Sequence, residues 1–261
     1  MPDVTAASPY QLVDATVGSR LVLGFVVPVD GLQARLPDGW RSAPHPPPTY
    51  AGAMAPVAAP GPPRGPNLVV VFNDLLLNQD AHGQTQADAS ARYVGFNIPA
   101  AHPATGRRGM VHVRIYTGTP QAVPGRYHDA RSARVRHEVH LRGENTVTTV
   151  DEHWQLEPDD GGTIELRLVY DRGPLVRIVA DQPDFRVWAA ADARTLRIYQ
   201  EDTLFETIHD AAIGSSAVKQ LHVAIHVPEL ADLFNGAERL VAIFGNPHYA
   251  RRVYTPRGRT P

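Results

Sequence analysis

Of the 25 Lys and Arg residues in this 261-residue chain, only Lys219 is a lysine. It lies in the segment AVKQLHVAIHV, where strand alternation predicts that it shares a face with Leu221, Val223 and Ile225. A lysine held in a dry pocket has a lowered pKa, and its neutral amine can attack a carbonyl carbon to form a Schiff base. The alternative is that Lys219 lies at the strand's end and extends its ammonium group to water.

Two further groups of polar residues interrupt apolar strands. His112, Arg114 and Tyr116 alternate in MVHVRIYT and are predicted to share one face, where Arg114 could hold a carboxylate through two hydrogen bonds. On an open sheet the same face would simply be solvated. Asn73 and Asp74 break the apolar segment LVVVFNDLLL, and polar groups in a buried strand need partners. They are either turn-forming residues or cavity-facing, substrate-binding groups.

The histidines give a catalytic candidate but no compelling metal site. His137 is in phase with the apolar residues of its strand, which predicts a buried core or cavity histidine that could act as a base. His222 and His226 are four apart, a metal-binding spacing on a helix, but strand geometry would separate them by about 13 Å. Metal sites could otherwise arise only if neighbouring strands bring together His137 with His140, or His112 with His153.

Several classes of function are disfavoured by composition and motifs. There is no cysteine, no GxSxG motif and no Gly-rich phosphate loop after a strand. Asp151 and Glu152 are adjacent on a strand, so they point to opposite faces and cannot form a facing acid pair. The net charge of −2, without a run of like charges, predicts no nucleic-acid partner. No apolar run is long enough to span a bilayer, so we expect a cytoplasmic protein with no membrane contact.

The remaining pattern is that of a β-rich protein punctuated by 21 glycines and 24 prolines. We expect an N-terminal arm at 1–18, a proline-rich loop at 41–67, short helices after residue 28 and in PELADLFNG, and a single domain over 1–261. The predicted strands span 19–27, 68–77, 92–99, 110–117, 132–142, 146–156, 163–170, 174–180, 185–190, 194–200, 217–227 and 239–244. This series predicts a large antiparallel sandwich or closed barrel with little helix.

The order of elements and several local sequences resemble the acetoacetate decarboxylase-like superfamily. LVLGFVVPVDGLQARLPDGW resembles the family's opening strand, short helix and Leu-Pro-x-Gly turn. LVVVFNDLLL and ARYVGFNIPA resemble the next two core strands, and the likeness continues through VHVRIYTGTPQAVPGRYHDA to the following hairpin. The resemblance covers most of the chain and implies a mostly β protein, a single antiparallel β-barrel with one or two short helices around a small cavity.

The resemblance also implies a site in mid-chain, with one departure. In the family's decarboxylases a Schiff-base lysine lies in a Gly-Phe-Pro-Lys-type turn, but the matching residues here, 123–129, read VPGRYHD. Arg126 and His128 stand in that region and could bind or polarise a substrate without covalent attachment. Amine-based decarboxylation would therefore require Lys219 to enter the cavity from another strand.

We therefore expect a bacterial lyase of secondary metabolism, decarboxylase-like or hydratase-like, that acts on a keto or hydroxy acid. Its catalytic candidates are Lys219, His128 and His137, and its substrate-binding candidates are Arg114, Arg126, His112, Tyr116, Asn73 and Asp74. No metal and no cofactor is expected, and a homo-oligomer is compatible with the sequence. The alternatives are a non-catalytic carrier of a small apolar ligand, with a cavity lined by residues such as Phe72, Phe96 and Trp188, and thirdly a metal-dependent enzyme with a histidine cluster.

Overall fold

The computed structural model describes residues 8–44, 65–86, 91–125, 127 and 130–258. Strands dominate these ranges. Seven of them close into a barrel, because the seventh barrel strand in spatial order pairs with the first. In spatial order they are β5 (Arg107–Thr117), β10 (Phe185–Ala189), β11 (Leu196–Asp210), β14 (Arg239–Pro256), β1 (Tyr10–Val26), β3 (Leu68–Asp80) and β4 (Arg92–His102). The predicted β-barrel is confirmed.

A four-stranded antiparallel sheet packs on the outside of the barrel. It contains β6 (Ala130–Glu144), β7 (Val147–Pro158), β8 (Thr163–Asp171) and β13 (Val218–His226). The chain enters it through a short parallel pairing of β5 with β6 and returns to the barrel at β10, which pairs with β5 in parallel as well. The barrel is therefore antiparallel except between β5 and β10, because three strands of the outer sheet, β6, β7 and β8, are inserted between these two strands. The fourth strand, β13, follows β11 in the sequence.

Apolar residues form two cores, one inside the barrel and one between the barrel and the outer sheet. On β1, Val22 belongs to the inner core, whereas Leu21 and Leu23 belong to the outer one together with Trp154 and Leu166 of the outer sheet. Both faces of such a barrel strand are covered. This explains why the barrel strands read as continuous apolar segments rather than as alternating ones.

Two predicted elements differ from the observed ones, and a third lies mostly outside the described residues. Residues 10–18, expected as an arm, are the first half of β1 and pair with both β14 and β3. The helix expected in PELADLFNG is only a 3₁₀ turn at Pro228–Leu230. Leu230 in this turn and Leu233 after it, three residues apart, both reach the core. Most of the proline-rich loop, 45–64, lies outside the described residues.

The remaining elements are short. They are the helix α1 (Val29–Gln33), a 3₁₀ turn at Pro120–Ala122, and the strands β2 (Arg41–Ser42), β9 (Val176–Val179) and β12 (Ser215–Ser216). None of the helices in the described ranges is long and apolar enough to cross a membrane.

Candidate functional site

The interior of the barrel contains a cavity with a volume of about 60 Å³ open to the centres of water molecules. Because one water needs roughly 10–15 Å³ on this scale, the cavity holds a molecule of about four to six non-hydrogen atoms. Apolar side chains form much of its wall, and its polar side chains are Arg20, Asn73, Tyr93, Asn97, His112, Tyr199, Glu201 and Arg251. The cavity is thus apolar with a charged end, the usual composition of a small-molecule site.

Strand alternation brings the charged residues into the barrel. Arg20 is two residues before Val22 on β1, and both side chains face inward. On β14 the inner face carries Tyr249, Arg251 and Val253, while Arg252 between them is exposed. Polar and apolar inward-facing residues therefore follow one another along the same strand.

Arg20 and Glu201 form a bidentate ion pair inside the barrel. The two guanidinium nitrogens of Arg20 donate to the two carboxylate oxygens of Glu201 at 2.9 and 2.6 Å, and each side chain is only 7% exposed. Nε of Arg20 donates to Oδ1 of Asn246 at 2.8 Å. Burial raises the pKa of Glu201, but the charge and hydrogen bonds of Arg20 outweigh it, and the net pKa is lowered. Glu201 is therefore ionised, and both of its carboxylate oxygens are bound by Arg20.

Arg251 is a second buried cation in the cavity, and it lacks an ion pair among the described residues. It is 5% exposed, one terminal nitrogen donates to the Tyr93 hydroxyl at 3.3 Å, and its Nε has no hydrogen-bond partner. Its guanidinium lies 4.8 Å from the ring centre of Tyr199 and 5.5 Å from that of Tyr249. The rings position the cation but do not neutralise it, so Arg251 retains donors for an anion.

His112, which also lines the cavity, is uncharged. Burial, and secondarily the positive charge of Arg251, lower its pKa to about 3. Its Nδ1 is buried without a hydrogen-bond partner, and its ring contacts the edge of Tyr127. A neutral imidazole with a vacant nitrogen next to a free guanidinium can bind a second oxygen of a carboxylate-containing ligand.

A segment after the 3₁₀ turn at 120–122 closes one side of this region. The Tyr127 hydroxyl lies 2.7 Å from that of Tyr199, and the backbone N–H of Gly125 donates to the Asp14 carboxylate at 2.7 Å. Burial is the largest cause that raises the pKa of both tyrosines, so both hydroxyls stay protonated. Arg126 and His128, expected here as site residues, lie outside the described residues.

Comparison with solved structures identifies the architecture. The enduracididine biosynthesis enzyme MppR with HEPES bound has a TM-score of 0.53 at 11% identity, covering 95% of this chain and 87% of that one. MppR complexed with pyruvate has a TM-score of 0.50 at 11% identity, with coverage of 97% and 92%. An acetoacetate decarboxylase-like enzyme from Sphingomonas wittichii RW1 has a TM-score of 0.51 at 12% identity, with coverage of 98% and 96%.

This chain has the acetoacetate decarboxylase-like fold. No protein-family model matches it, and no curated protein matches it either. The identities of 11–12% establish the fold alone, so the chemistry of this acetoacetate decarboxylase-like barrel has to be argued from its own side chains.

Lys219 does not line the cavity of this acetoacetate decarboxylase-like barrel. It lies on β13 of the outer sheet, where its side chain is 49% exposed, and its Nζ is 2.6 Å from Oδ1 of Asp171 and 3.3 Å from the hydroxyl of Thr149. The expectation that it shares the apolar face was wrong, because a β-bulge between Val218 and Gln220 changes its direction.

The three polar residues of β5 that were predicted to share one face lie on two different faces. His112 lines the cavity as expected, but Arg114 and Tyr116 lie on the outside of the barrel, where both contact the Glu229 carboxylate. A register shift leaves Val113 without a partner on β4, which places residues 114 and 116 on the opposite face from residue 112. Arg114 and Tyr116 are therefore not brought to the site.

Asn73 and Asp74 also separate. Asn73 faces the cavity and accepts a hydrogen bond from the Tyr249 hydroxyl at 3.4 Å. Asp74 faces outward and lies 3.0 Å from Nδ1 of His137, whose Nε2 lies 3.1 Å from Glu152. His137 is therefore a buried residue between the barrel and the outer sheet, not a cavity residue.

His137 provides a pH-dependence prediction. Burial lowers its pKa, but the hydrogen bonds and charges of Asp74 and Glu152 outweigh this, and the net pKa is raised above its usual value. Its contribution to stability is then fully present below about pH 6.5 and is lost as the pH rises through the raised folded-state pKa. We expect the difference in free energy of unfolding between the wild type and His137→Gln to shrink from pH 6 to pH 9 in urea denaturation.

A matched control is His140→Gln, since His140 is exposed on the same strand and has no ion pair among the described residues. A difference between His137→Gln and the wild type that stays constant over this pH range would contradict the prediction.

The other described histidines do not form a metal site. His222 and His226 lie on the strand β13 as predicted, and Nε2 of His222 is 3.8 Å from a carboxylate oxygen of Glu165. Among the described residues, no group of three or more His, Asp or Glu side chains is arranged to hold a metal ion. Asp151 and Glu152 point to opposite faces as predicted, Glu152 toward His137 and Asp151 toward exposed arginines.

Sequence reasoning missed most of the charged cavity residues. Arg251 was read as part of a terminal segment beyond the last strand, and Arg20 as the start of a strand without a role. Alternation is the signal that could have found Arg251. In a strand, Arg251 shares one face with Tyr249 and Val253, whereas Arg252 lies on the other face. Phe72, Phe96 and Trp188, expected to line the cavity of a carrier, belong to the outer core.

Proposed function

We propose that this protein is a small-molecule lyase whose barrel cavity binds a short keto or hydroxy acid through Arg251. The observation that carries the proposal is a buried guanidinium without an ion pair among the described residues. The charge of Arg251 contributes to lowering the pKa of Glu201, but both carboxylate oxygens of Glu201 are already bound by Arg20. An uncompensated buried charge costs several kcal/mol, so a site with this arrangement favours a ligand that supplies an anion.

The size and polarity of the cavity restrict the acid. Space for about four to six non-hydrogen atoms corresponds to a two- or three-carbon acid, such as acetate or pyruvate. When the carboxylate of the acid binds Arg251, another oxygen of the acid can hydrogen-bond to Nδ1 of His112 or to the paired hydroxyls of Tyr127 and Tyr199. The structurally similar MppR has been crystallised with pyruvate, an acid of this class. Its role in enduracididine biosynthesis supports a place for this protein in secondary metabolism as well.

The proposed mechanism forms no covalent bond between the protein and the substrate. His112 would hydrogen-bond to the keto or hydroxyl oxygen and increase the acidity of the neighbouring C–H bond. Binding of an anion at Arg251 would offset one of the two causes that lower the pKa of His112, bringing the imidazole closer to a value useful for proton transfer. Since Arg251 stabilises the carboxylate in the ground state, loss of CO₂ is opposed. Hydratase-type elimination is therefore favoured over decarboxylation: a C–H proton and the hydroxyl group of a hydroxy acid leave together as water, a C=C bond forms, and the carboxylate is kept. Addition of water is the reverse step.

The test combines binding with isotope exchange. Acetate, lactate and pyruvate would be titrated into the protein by calorimetry, with pyruvamide as the uncharged counterpart of pyruvate. The bound acids would then be incubated in D₂O, and exchange next to the carbonyl and the formation of products would be followed by NMR. We expect binding of the acids but not of the amide, together with exchange faster than in buffer. Equal binding of pyruvate and pyruvamide would overturn the proposal.

A second candidate is a non-catalytic binding protein for the same acids. The low pKa of His112, about 3, favours it, because so weak a base removes protons slowly. The same experiment separates the two functions: acid binding without exchange or product would indicate the binding protein.

Schiff-base chemistry is expected to be absent. Borohydride treatment in the presence of pyruvate or acetoacetate should leave the mass of residue 219 unchanged, because Lys219 lies outside the cavity in an ion pair with Asp171. Peptide mapping by mass spectrometry checks this, and the Lys219→Arg variant is the matched control. An acid-dependent mass increase on the peptide containing Lys219, absent in the variant, would contradict the prediction.

A further inference from the structure

The strand β6 presents a long unpaired edge. Along Ala133–Glu144 it pairs with β7 residue for residue and without a register shift. Its other edge pairs only at Ala130–Ser132, with β5, in the part of the chain that the structure describes. Unpaired backbone N–H and C=O groups over this length are a template for another strand.

The same part of β6 exposes apolar side chains. Val139 is 43% exposed and Leu141 is 59% exposed, although both lie on the face that carries the buried residues of the sheet. Val147 at the start of β7 is 49% exposed as well. The hairpin therefore extends beyond the core it covers, and its apolar face is incompletely packed.

The charges on the opposite face of β6 are mixed in sign. Arg136, Glu138, Arg142 and Glu144 alternate with the apolar residues and are all exposed. Among the described residues Arg136, Glu138 and Glu144 have no ion pair, and Arg142 has only a 3.9 Å contact with Asp151. Charged side chains can protect an edge strand against pairing, but this order of opposite charges is suited to a partner strand with the reverse order.

We propose that β6 pairs in antiparallel orientation with β6 of a second copy of this chain, around a two-fold axis at His140. In this register Arg136 faces Glu144 of the second copy, and Glu138 faces Arg142 of the second copy. On the other face Val139 lies opposite Leu141 of the second copy. Each opposite-charge and apolar pair occurs twice by symmetry, and such directly opposed pairs are the contacts that stabilise a sheet.

Neighbouring registers are less favourable. An axis at Glu138 would oppose Glu138 to itself and Arg134 to Arg142. An axis at Val139 would oppose Arg136 to Arg142. Because like charges directly opposite one another are destabilising, the axis at His140 is selected. The two outer sheets would then form one eight-stranded sheet in the order β13-β8-β7-β6-β6-β7-β8-β13.

Charge reversal tests the register. We expect the wild type to be a dimer by sedimentation velocity at micromolar concentration. Glu138→Arg and Arg142→Glu should each raise the dissociation constant at least tenfold, because each opposes like charges twice. The double variant E138R/R142E restores opposite charges and should recover the dimer. Arg252→Glu, at an exposed position on β14, is the control that should leave the dimer intact. A monomeric wild type, or a dimer insensitive to both single reversals, would overturn the proposal.

Cross-linking gives an independent readout, since the chain has no cysteine. Directly opposed residues of antiparallel strands have Cα atoms about 4.5–5.5 Å apart, within the range of a disulfide. Oxidised His140→Cys should therefore run as a covalent dimer. In Arg136→Cys the two cysteines would be eight residues apart along the strands, about 27 Å, and should not cross-link. Equal cross-linking of both variants, or of neither, would contradict this register.

Discussion

Replacing Arg251 by methionine is expected to abolish the binding of small carboxylic acids and, at the same time, to stabilise the ligand-free protein. Loss of a buried charge-assisted contact to a carboxylate costs about 2–4 kcal/mol, so the dissociation constant should rise roughly 30- to 700-fold. Isothermal titration calorimetry with pyruvate measures this change. If the binding of pyruvate is unaffected, the carboxylate is bound elsewhere.

The stability part of this prediction follows from the same contacts. Arg251 is buried, lacks an ion pair among the described residues and has an unpartnered Nε. Burial lowers its pKa, and Tyr93, Tyr249, Tyr199 and Glu201 together raise it above its usual value. A tyrosine hydroxyl is uncharged at pH 7 and Glu201 is paired with Arg20, so the desolvation of Arg251 is incompletely compensated. Replacing an inadequately paired buried charge by an apolar side chain of similar length should raise the free energy of unfolding by about 1–2 kcal/mol. Urea denaturation of the ligand-free proteins measures the difference. A lower stability of Arg251→Met would mean that Tyr93, Tyr199 and Glu201 already compensate its charge.

Arg252→Met is the matched control. This neighbouring arginine is exposed on the outside of the barrel and has no ion pair among the described residues. Its replacement should change neither pyruvate affinity nor stability by more than about 0.5 kcal/mol. Because the two variants differ by one position on one strand, a contrast between them tests the inward direction of Arg251 directly.

The β-rich fold could be predicted from the sequence because most strands alternate or are continuously apolar. Besides residues 10–18 of β1, two strand halves differ from the prediction, 201–210 of β11 and 245–256 of β14. Their inward-facing positions carry Glu201, Thr203 and Arg251 instead of apolar residues. The polar side chains of the candidate site therefore removed the periodicity that would have predicted the strands on which they lie.

The wrongly placed site residues share a different cause. Arg114 and Tyr116 follow a β-bulge on β5, and Lys219 lies at a bulge on β13. One extra residue reverses the face of every side chain that follows, and nothing in a single sequence marks where such an insertion occurs. Of the two alternatives that the sequence left open for His112 and for Asn73, the structure shows the cavity-facing one, and no shift separates these residues from the inward-facing residues that precede them on their own strands.

The charge balance of the cavity depends on Glu201, and Glu201→Leu is expected to destabilise the protein strongly. Glu201 is the bidentate partner of Arg20, and both are 7% exposed. Removal of one member of a buried ion pair leaves the other charge uncompensated and costs about 3–5 kcal/mol in free energy of unfolding. Urea denaturation at pH 7 measures this cost. The matched surface variant Glu157→Leu, whose partner Arg134 is 64% exposed, should cost about 0–1 kcal/mol.

The double variant Arg20→Met/Glu201→Leu and the pH dependence separate lost charge pairing from lost packing. With both charges replaced by apolar side chains, most of the stability should return, because no unpaired ion remains. The folded-state pKa of Glu201 is lowered, so its stabilisation is present above about pH 4.3, the usual value of a glutamate, and is lost as the pH falls through the folded-state pKa. The gap between the wild type and Glu201→Leu should therefore narrow in acid. A double variant as unstable as the single one, with a gap independent of pH, would mean that packing rather than the ion pair holds β1 and β11 together at the cavity.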